Sequence, residues 1–286
     1  MLSGMGAVLA YIFYFVAATA SPLQRRHLAT TRETDAGQID FAFRVMFVCT
    51  VLSLILALFQ RPQLHDDLGR VAWLALACGL FGAVALATGY IAQRRVEAGT
   101  FALVGNIYTP VTIVLASVFL NERLSPLQVV GTLLLLISVV MVSRKHRLTR
   151  WRFDKYFVLV VISGLALGAV LTAERSLIKD NGLTAGTWIS WSAQSLFLAA
   201  AALVSRQKSQ HDLRDTAVTS SLRFLQQLSW VVLVTVVANL SLVSAVTTFK
   251  IVLVFVAAAV WLHEREDLRR KIIGSLIAVV GLLLMA

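Results

Sequence analysis

The sequence predicts an all-α polytopic membrane protein: ten transmembrane helices arranged as two inverted five-helix repeats. Three observations predict it. The composition is 58% hydrophobic and 14% charged, with a mean hydropathy of +0.79, where a soluble domain carries roughly 25% charged residues. The apolar residues fall in ten runs long enough to cross a bilayer. One short motif recurs near the end of each half of the chain.

A span needs about 20 apolar residues, and these must be helical because lipid offers the backbone no hydrogen-bond partner. The expected spans are 2–23, 40–59, 71–92, 98–120, 125–143, 155–175, 185–204, 221–238, 240–262 and 271–286. The first has a signal-peptidase-like Ala18-Thr19-Ala20, but nothing charged precedes Arg25, so it reads as a permanent span. The eighth is the least apolar, with Arg223, Gln226 and Gln227 near its start. The connections are short and leave no room for a soluble domain. Cys49 and Cys78 both stand inside apolar runs, without a CxxC or Cys/His cluster, so neither a disulfide framework nor a zinc site is expected.

The net charge is +11 and the pI about 10.4. These charges lie between the apolar runs rather than on one basic domain, which argues for contacts with anionic lipid and against nucleic-acid binding. Most of the 26 Lys and Arg fall in the loops after odd-numbered spans. By the positive-inside rule those loops are cytoplasmic and both termini outside.

The repeat is carried by Phe119-Leu120-Asn121-Glu122-Arg123, followed by Gly131, and by Trp261-Leu262-His263-Glu264-Arg265, followed by Gly274. Ala36-Gly37 and Ala185-Gly186 each stand before the helix that follows the first loop of a half. The halves are therefore residues 1–148 and 149–286, with five spans each. Five is odd, so the second half enters the membrane from the opposite side. Such inverted repeats are a recurrent device of secondary transporters.

With Pro110-(x)11-Glu122-Arg123-(x)7-Gly131 and Glu264-Arg265-(x)8-Gly274, the chain resembles the EamA-type, ten-helix branch of the drug/metabolite transporter superfamily. The resemblance implies two inverted five-helix repeats, with a central cavity lined by helices 1–4 and 6–9. It also implies transport of small metabolites, often amino-acid efflux. Two departures stand out. Members usually have cytoplasmic termini, the reverse of the charge count, and the second half has no proline matching Pro110.

Lys250 is the sharpest candidate for a role in transport. It sits near the middle of the run 240–262, where a charge costs at least about 2.5–3.5 kcal/mol and needs a cavity or a partner. A substrate carboxylate or an exchangeable proton suits it; so does a structural pair inside the bundle. Arg44, one turn into the second span, suits either a substrate contact or an interfacial anchor. Asn106, Tyr108, Thr109 and Pro110 form a polar, kinked stretch, and the family alignment sets Tyr108 opposite Lys250. Trp191 and Gln194 share a helix face, and Tyr11 and Tyr14 lie on the first span. Each of these suits a cavity wall as well as ordinary packing or an aromatic belt. Gln226 and Gln227 fit either a cavity or a frayed helix start. Gly164 and Gly168 form a GxxxG pair suited to close helix packing.

Asp40, Glu97, Glu122, Glu174 and Glu264 all sit at span ends. Proton exchange of a cationic drug needs a membrane carboxylate, so the pattern favours neutral, zwitterionic or anionic substrates. There is no Walker A, HExxH or nucleophile–base motif. The expectation is a secondary exporter of amino acids or related compounds in a bacterial cytoplasmic membrane. Its partners are a small-molecule substrate and the lipid bilayer. It works as a monomer, without cofactor, metal or catalytic residues. A membrane enzyme acting on lipid, or a non-transporting sensor, stays open as an alternative.

Overall fold

An apolar run in lipid must close its hydrogen bonds within itself, and the described parts of the expected spans are helical except at Asn106–Ile107, Phe249 and Leu262. The computed structural model describes residues 4–31, 34–59, 67–120, 126–143, 154–237, 247, 249–263 and 268–285. These hold eleven helices: α1 (Gly4–Thr31), α2 (Asp35–Phe59), α3 (Leu68–Ala92), α4 (Ala98–Gly105), α5 (Tyr108–Leu120), α6 (Pro126–Ser143), α7 (Lys155–Asn181), α8 (Leu183–Ser205), α9 (Leu213–Val237), α10 (Lys250–Trp261) and α11 (Leu268–Met285). There is no strand among the described residues. The Glu122-Arg123 and Glu264-Arg265 pairs lie outside them. By length and composition, α2, α3, α7 and α8 are each able to cross a membrane.

The burial pattern is the inverse of a soluble protein's. Val8, Ile12, Phe13 and Val16 on α1 and Phe47, Val51 and Ile55 on α2 are exposed, whereas Gln38, Gln93, Ser138, Ser190 and Ser275 are buried. A large apolar outer surface over a polar-seamed interior is stable in lipid and unstable in water. Hydroxyls tie the helices together: Ser163 donates to the Ala85 carbonyl at 2.7 Å, Thr50 to that of Trp191 at 3.0 Å and Ser138 to that of Gly274 at 2.6 Å.

Four boundaries differ from the sequence expectation. Helix α1 continues to Thr31, so Arg25 and Arg26 are helical; Arg26 donates to the Gln93 carbonyl at 2.7 Å, which gives its charge a partner. Helix α7 runs on to Asn181, ahead of Gly182 at φ +79°, the left-handed conformation that glycine adopts freely at a helix end. Helix α9 starts at Leu213, just after Asp212, whose carboxylate accepts from the Asp215 N–H at 2.8 Å. Arg223, Gln226 and Gln227 are thus well inside it, and Gln226 and Gln227 are not a frayed start. The fourth span is two helices, α4 and α5.

Helix α3 packs on α7 and α8, α1 on α9 and α10, α2 on α8 and α9, α5 on α7, α4 on α10 and α6 on α11. One end of the bundle is closed by polar contacts. Asp35 pairs with Arg94 and with Lys155 at 3.6 Å, and takes the Tyr156 hydroxyl at 3.3 Å. Glu97 pairs with Lys271 across α4 and α11. Thr34 donates to Gln207 at 2.7 Å.

Candidate functional site

The break between α4 and α5 sets the first part of the site. The Asn106 N–H bonds the Leu103 carbonyl at 3.1 Å and that of Ile107 bonds Val104 at 3.1 Å, so α4 closes in tight turns. The Asn106 side chain also donates to the Ala102 carbonyl. Thr109 N–H then bonds the Asn106 carbonyl at 3.0 Å and α5 begins at Tyr108. Pro110 stands in the first turn of α5, where its missing N–H costs nothing. It starts a helix rather than kinking the interior of one.

Helix α7 presses on this break through its GxxxG pair. A Cβ on Gly164 would meet the Gly105 carbonyl oxygen at 2.9 Å, and one on Gly168 the Tyr108 carbonyl oxygen at 3.0 Å. Thr112 adds bonds to the Tyr108 carbonyl at 2.8 Å and the Gly168 carbonyl at 3.5 Å. The glycines let two backbones touch, and so fix where Tyr108 stands.

Lys250 is the first residue of α10 and is half-buried. Its Nζ donates to the Tyr14 hydroxyl at 3.3 Å. It lies 5.7 Å from the Tyr108 ring centroid and 6.0 Å from that of Tyr14, within cation–π range. Tyr14, on α1, is 3% exposed. The structure therefore brings Tyr14, Tyr108 and Lys250 together from three helices. Among the described residues no carboxylate pairs with Lys250. Both α5 and α10 start at the residues that meet here, and the positive end of a helix dipole attracts anions.

The other sequence candidates fall elsewhere. Asn106 and Pro110 shape the break. Trp191 is buried on α8; its indole N–H donates to Glu174 Oε1 at 3.1 Å, and its ring meets Phe224 edge-on at 6.1 Å. Gln194 donates to Ser190 Oγ at 3.0 Å and packs over Gly82, which makes it a packing element of α3 and α8. Arg44 pairs with Asp40 at 2.8 Å and donates to the His211 carbonyl at 3.3 Å, apart from Lys250 and its partners. A small, half-open, largely apolar cleft lies between α2, α8 and α9, lined by Ser53, Thr187, Trp191, Phe224, Gln227 and Leu228.

Two residues outside the sequence candidates join the interior. Glu174 ends the apolar stretch of α7, as expected, yet is only 5% exposed and faces Trp191. The expectation that carboxylates stay out of the interior is corrected for this residue. Its sequence signal was a lone acid between a helix's apolar run and its polar tail. Arg25 lies 5.1 Å from the Tyr90 ring centroid and 5.8 Å from that of Phe101; its place beyond the end of the first expected span hid it. No group of three or more His, Cys, Asp or Glu able to hold a metal occurs among the described residues.

Comparison with known proteins gives three findings. Residues 4–144 match the EamA-like transporter family. No curated protein matches the chain. A solved structure described only as a crystal structure of a protein superposes with a TM-score of 0.57 at 16% identity, covering 96% of this chain and 98% of its own. At that identity the likeness is one of fold alone.

Proposed function

We propose, from the premise that the chain belongs through residues 4–144 to the EamA-like transporter family, that it is a secondary transporter of small anionic or zwitterionic metabolites. It is an integral membrane protein of a transporter family, not of an enzyme family. In this reading ten spans form two inverted halves, residues 1–148 and 149–286, which alternate around a site at Lys250. The chain works as a monomer in a bacterial cytoplasmic membrane and exports amino acids or related compounds.

The contact pattern supports the inverted halves. Exchange of the first five spans with the last five turns α3 on α7 into α9 on α1, α2 on α9 into α8 on α3, and α5 on α7 into α10 on α1. Every one of these pairs occurs. The pairs α2 with α8, α4 with α10 and α6 with α11 exchange into themselves. Within α6 and α11, a Cβ on Gly281 would stand 2.7 Å from the Gly131 carbonyl oxygen, while Ser138 bonds the Gly274 carbonyl. Gly131 and Ser138 are spaced as Gly274 and Gly281 are, so the two contacts are one contact seen from either half.

The observation that carries the substrate class is Lys250, a cation between two tyrosines with no carboxylate partner among the described residues. A substrate carboxylate supplies the missing charge at a place where a lone ammonium is costly. The test is counterflow in liposomes of labelled amino acids and small carboxylates, with Lys250→Ala and Lys250→Arg in parallel. Saturable counterflow that Lys250→Ala abolishes and Lys250→Arg partly keeps is expected. Counterflow unchanged in Lys250→Ala makes the lysine structural, and none from folded protein removes the transporter reading for those compounds.

A further inference from the structure

A second cation of the bundle stands without an acid. Arg25 of α1 is half-buried and lies within cation–π range of Tyr90 of α3, at 5.1 Å, and Phe101 of α4, at 5.8 Å. Its Nε reaches the Ser21 carbonyl only at a long 3.4 Å, and its terminal nitrogens bond no acceptor among the described residues. The acids at the neighbouring helix ends are taken: Asp35 by Arg94 and Lys155, Asp40 by Arg44, and Glu97 by Lys271. Rings hold the Arg25 guanidinium in place but do not neutralise it.

Two buried amides stand beside it. Asp35 pairs with Arg94, and the Phe41 ring meets the Tyr90 ring at 5.9 Å, so α2 and the end of α3 touch at two levels. Gln38 lies between those levels on α2 and Gln93 between them at the end of α3. Each is three residues from its aromatic neighbour and shares a face with it. Gln38 is 2% exposed and Gln93 0%. Nε2 of Gln38 and both side-chain polar atoms of Gln93 have no hydrogen-bond partner among the described residues. Arg26 holds the Gln93 main-chain carbonyl at 2.7 Å, which ties this residue to the turn of α1 that carries Arg25. A buried amide left unbonded is costly, and few persist in native proteins. Unused N–H donors from three segments thus surround the Phe41–Tyr90 pair with no protein acceptor.

We propose that Arg25, Gln38 and Gln93 form a second station for the substrate carboxylate, just inside the polar end of the bundle. This rests on the transporter reading. The carboxylate supplies the charge that Arg25 lacks, and its lone pairs accept from the planar guanidinium fork and from the two amides. One unbalanced cation calls for one negative charge. The rings of Phe41, Tyr90 and Phe101 give the rest of the substrate an aromatic wall, which suits a monocarboxylate with an apolar or aromatic body. Tyr14, the partner of Lys250, is eleven residues back along α1. The two stations are therefore about 16 Å apart along that helix, too far for one small carboxylate to bridge, so the substrate is handed from one to the other. The Asp35–Arg94 and Glu97–Lys271 pairs close the bundle one turn further out.

Benzoate is the probe, and benzamide, of the same shape without the charge, is its control. Phenylglyoxal, which adds to arginine side chains, is applied to the purified protein in lipid, and the peptide carrying Arg25 is followed by mass spectrometry. Arg25 is expected to react, and benzoate at about ten times its dissociation constant to slow that reaction about tenfold. Benzamide is expected to leave the rate unchanged, and the protection by benzoate to persist in Lys250→Ala. An Arg25 that does not react, a rate that benzoate leaves unchanged, equal protection by benzamide, or protection lost in Lys250→Ala overturns the proposal. Gln93→Leu separates a binding amide from a structural one. It is expected to weaken benzoate protection about tenfold and to raise the thermal midpoint without ligand, because an unbonded amide is removed from the interior. A midpoint that does not rise overturns the role given to Gln93. Protection that holds while counterflow fails rejects the transporter reading alone; counterflow by a protein whose Arg25 is not protected rejects this station alone.

Discussion

Tyr14 and Lys250 lie at opposite ends of the chain, yet their side chains share a hydrogen bond of 3.3 Å. At this scale the interior is a set of charges held by neutral groups: Lys250 by a hydroxyl and two rings, Arg25 by two rings, Glu174 by an indole. Such holders cost little to displace when a charged ligand arrives, because each is worth only about 0.5–3 kcal/mol. Tyr14→Phe removes the hydroxyl and keeps the ring. It is expected to leave folding intact and to weaken counterflow less than Lys250→Ala does, read in the same liposomes. Trp191→Phe leaves a buried carboxylate short of a donor. A loss of about 1–3 kcal/mol of stability is expected, measured by unfolding in detergent, with part of it recovered when Glu174→Gln is added. Equal stability of the single variant and the wild type refutes the role given to the indole.

Among the elements, the broken fourth span does most to build the site. A continuous helix through 98–120 would not start a new first turn at Tyr108. The break persists because Asn106 closes α4, Pro110 opens α5 and the glycines of α7 admit the turn. Gly168→Val places methyl groups against Val111 and the Tyr108 carbonyl. A destabilisation of about 1–3 kcal/mol is expected, together with reduced counterflow, and a thermal midpoint unchanged from the wild type counts against this packing. Sequence alone showed that this stretch is polar and holds a proline, and that α7 carries GxxxG. It did not show that the two features meet, because contact between the fourth and sixth spans depends on how the halves dock.

Over the whole molecule, the polar end and, in the proposed reading, the interface between the two halves decide behaviour. Helices α1, α2, α3 and α6 pack on α9, α8, α7 and α11, so each half buries its face against the other. Residues 1–148 and 149–286 expressed separately are expected to be degraded, and co-expressed to co-purify and recover counterflow; a stable half on its own contradicts this. The polar end joins both halves through Asp35 with Lys155 and Glu97 with Lys271. The double variant Asp35→Asn, Glu97→Gln is expected to loosen it and raise the rate at which maleimide labels Cys49, buried in α2. An unchanged rate shows that these pairs do not seal the interior.

The sequence by itself determined the membrane class, the largely helical state of the described runs, the family and the candidacy of Lys250. These follow from composition and depth, which are properties of single segments: an apolar run of 20 residues and a lone lysine within one carry the same physics wherever the rest of the chain lies. Only the tertiary structure decided which residues serve Lys250, that Gln194 and Arg44 are tied up in packing and ion pairs, that the fourth span is two helices and that Glu174 faces inward. Those depend on rotation about each helix axis and on contacts between distant segments. A turn of a few tens of degrees separates a carboxylate at the lipid interface from one against a buried indole, and nothing local in the chain fixes that turn.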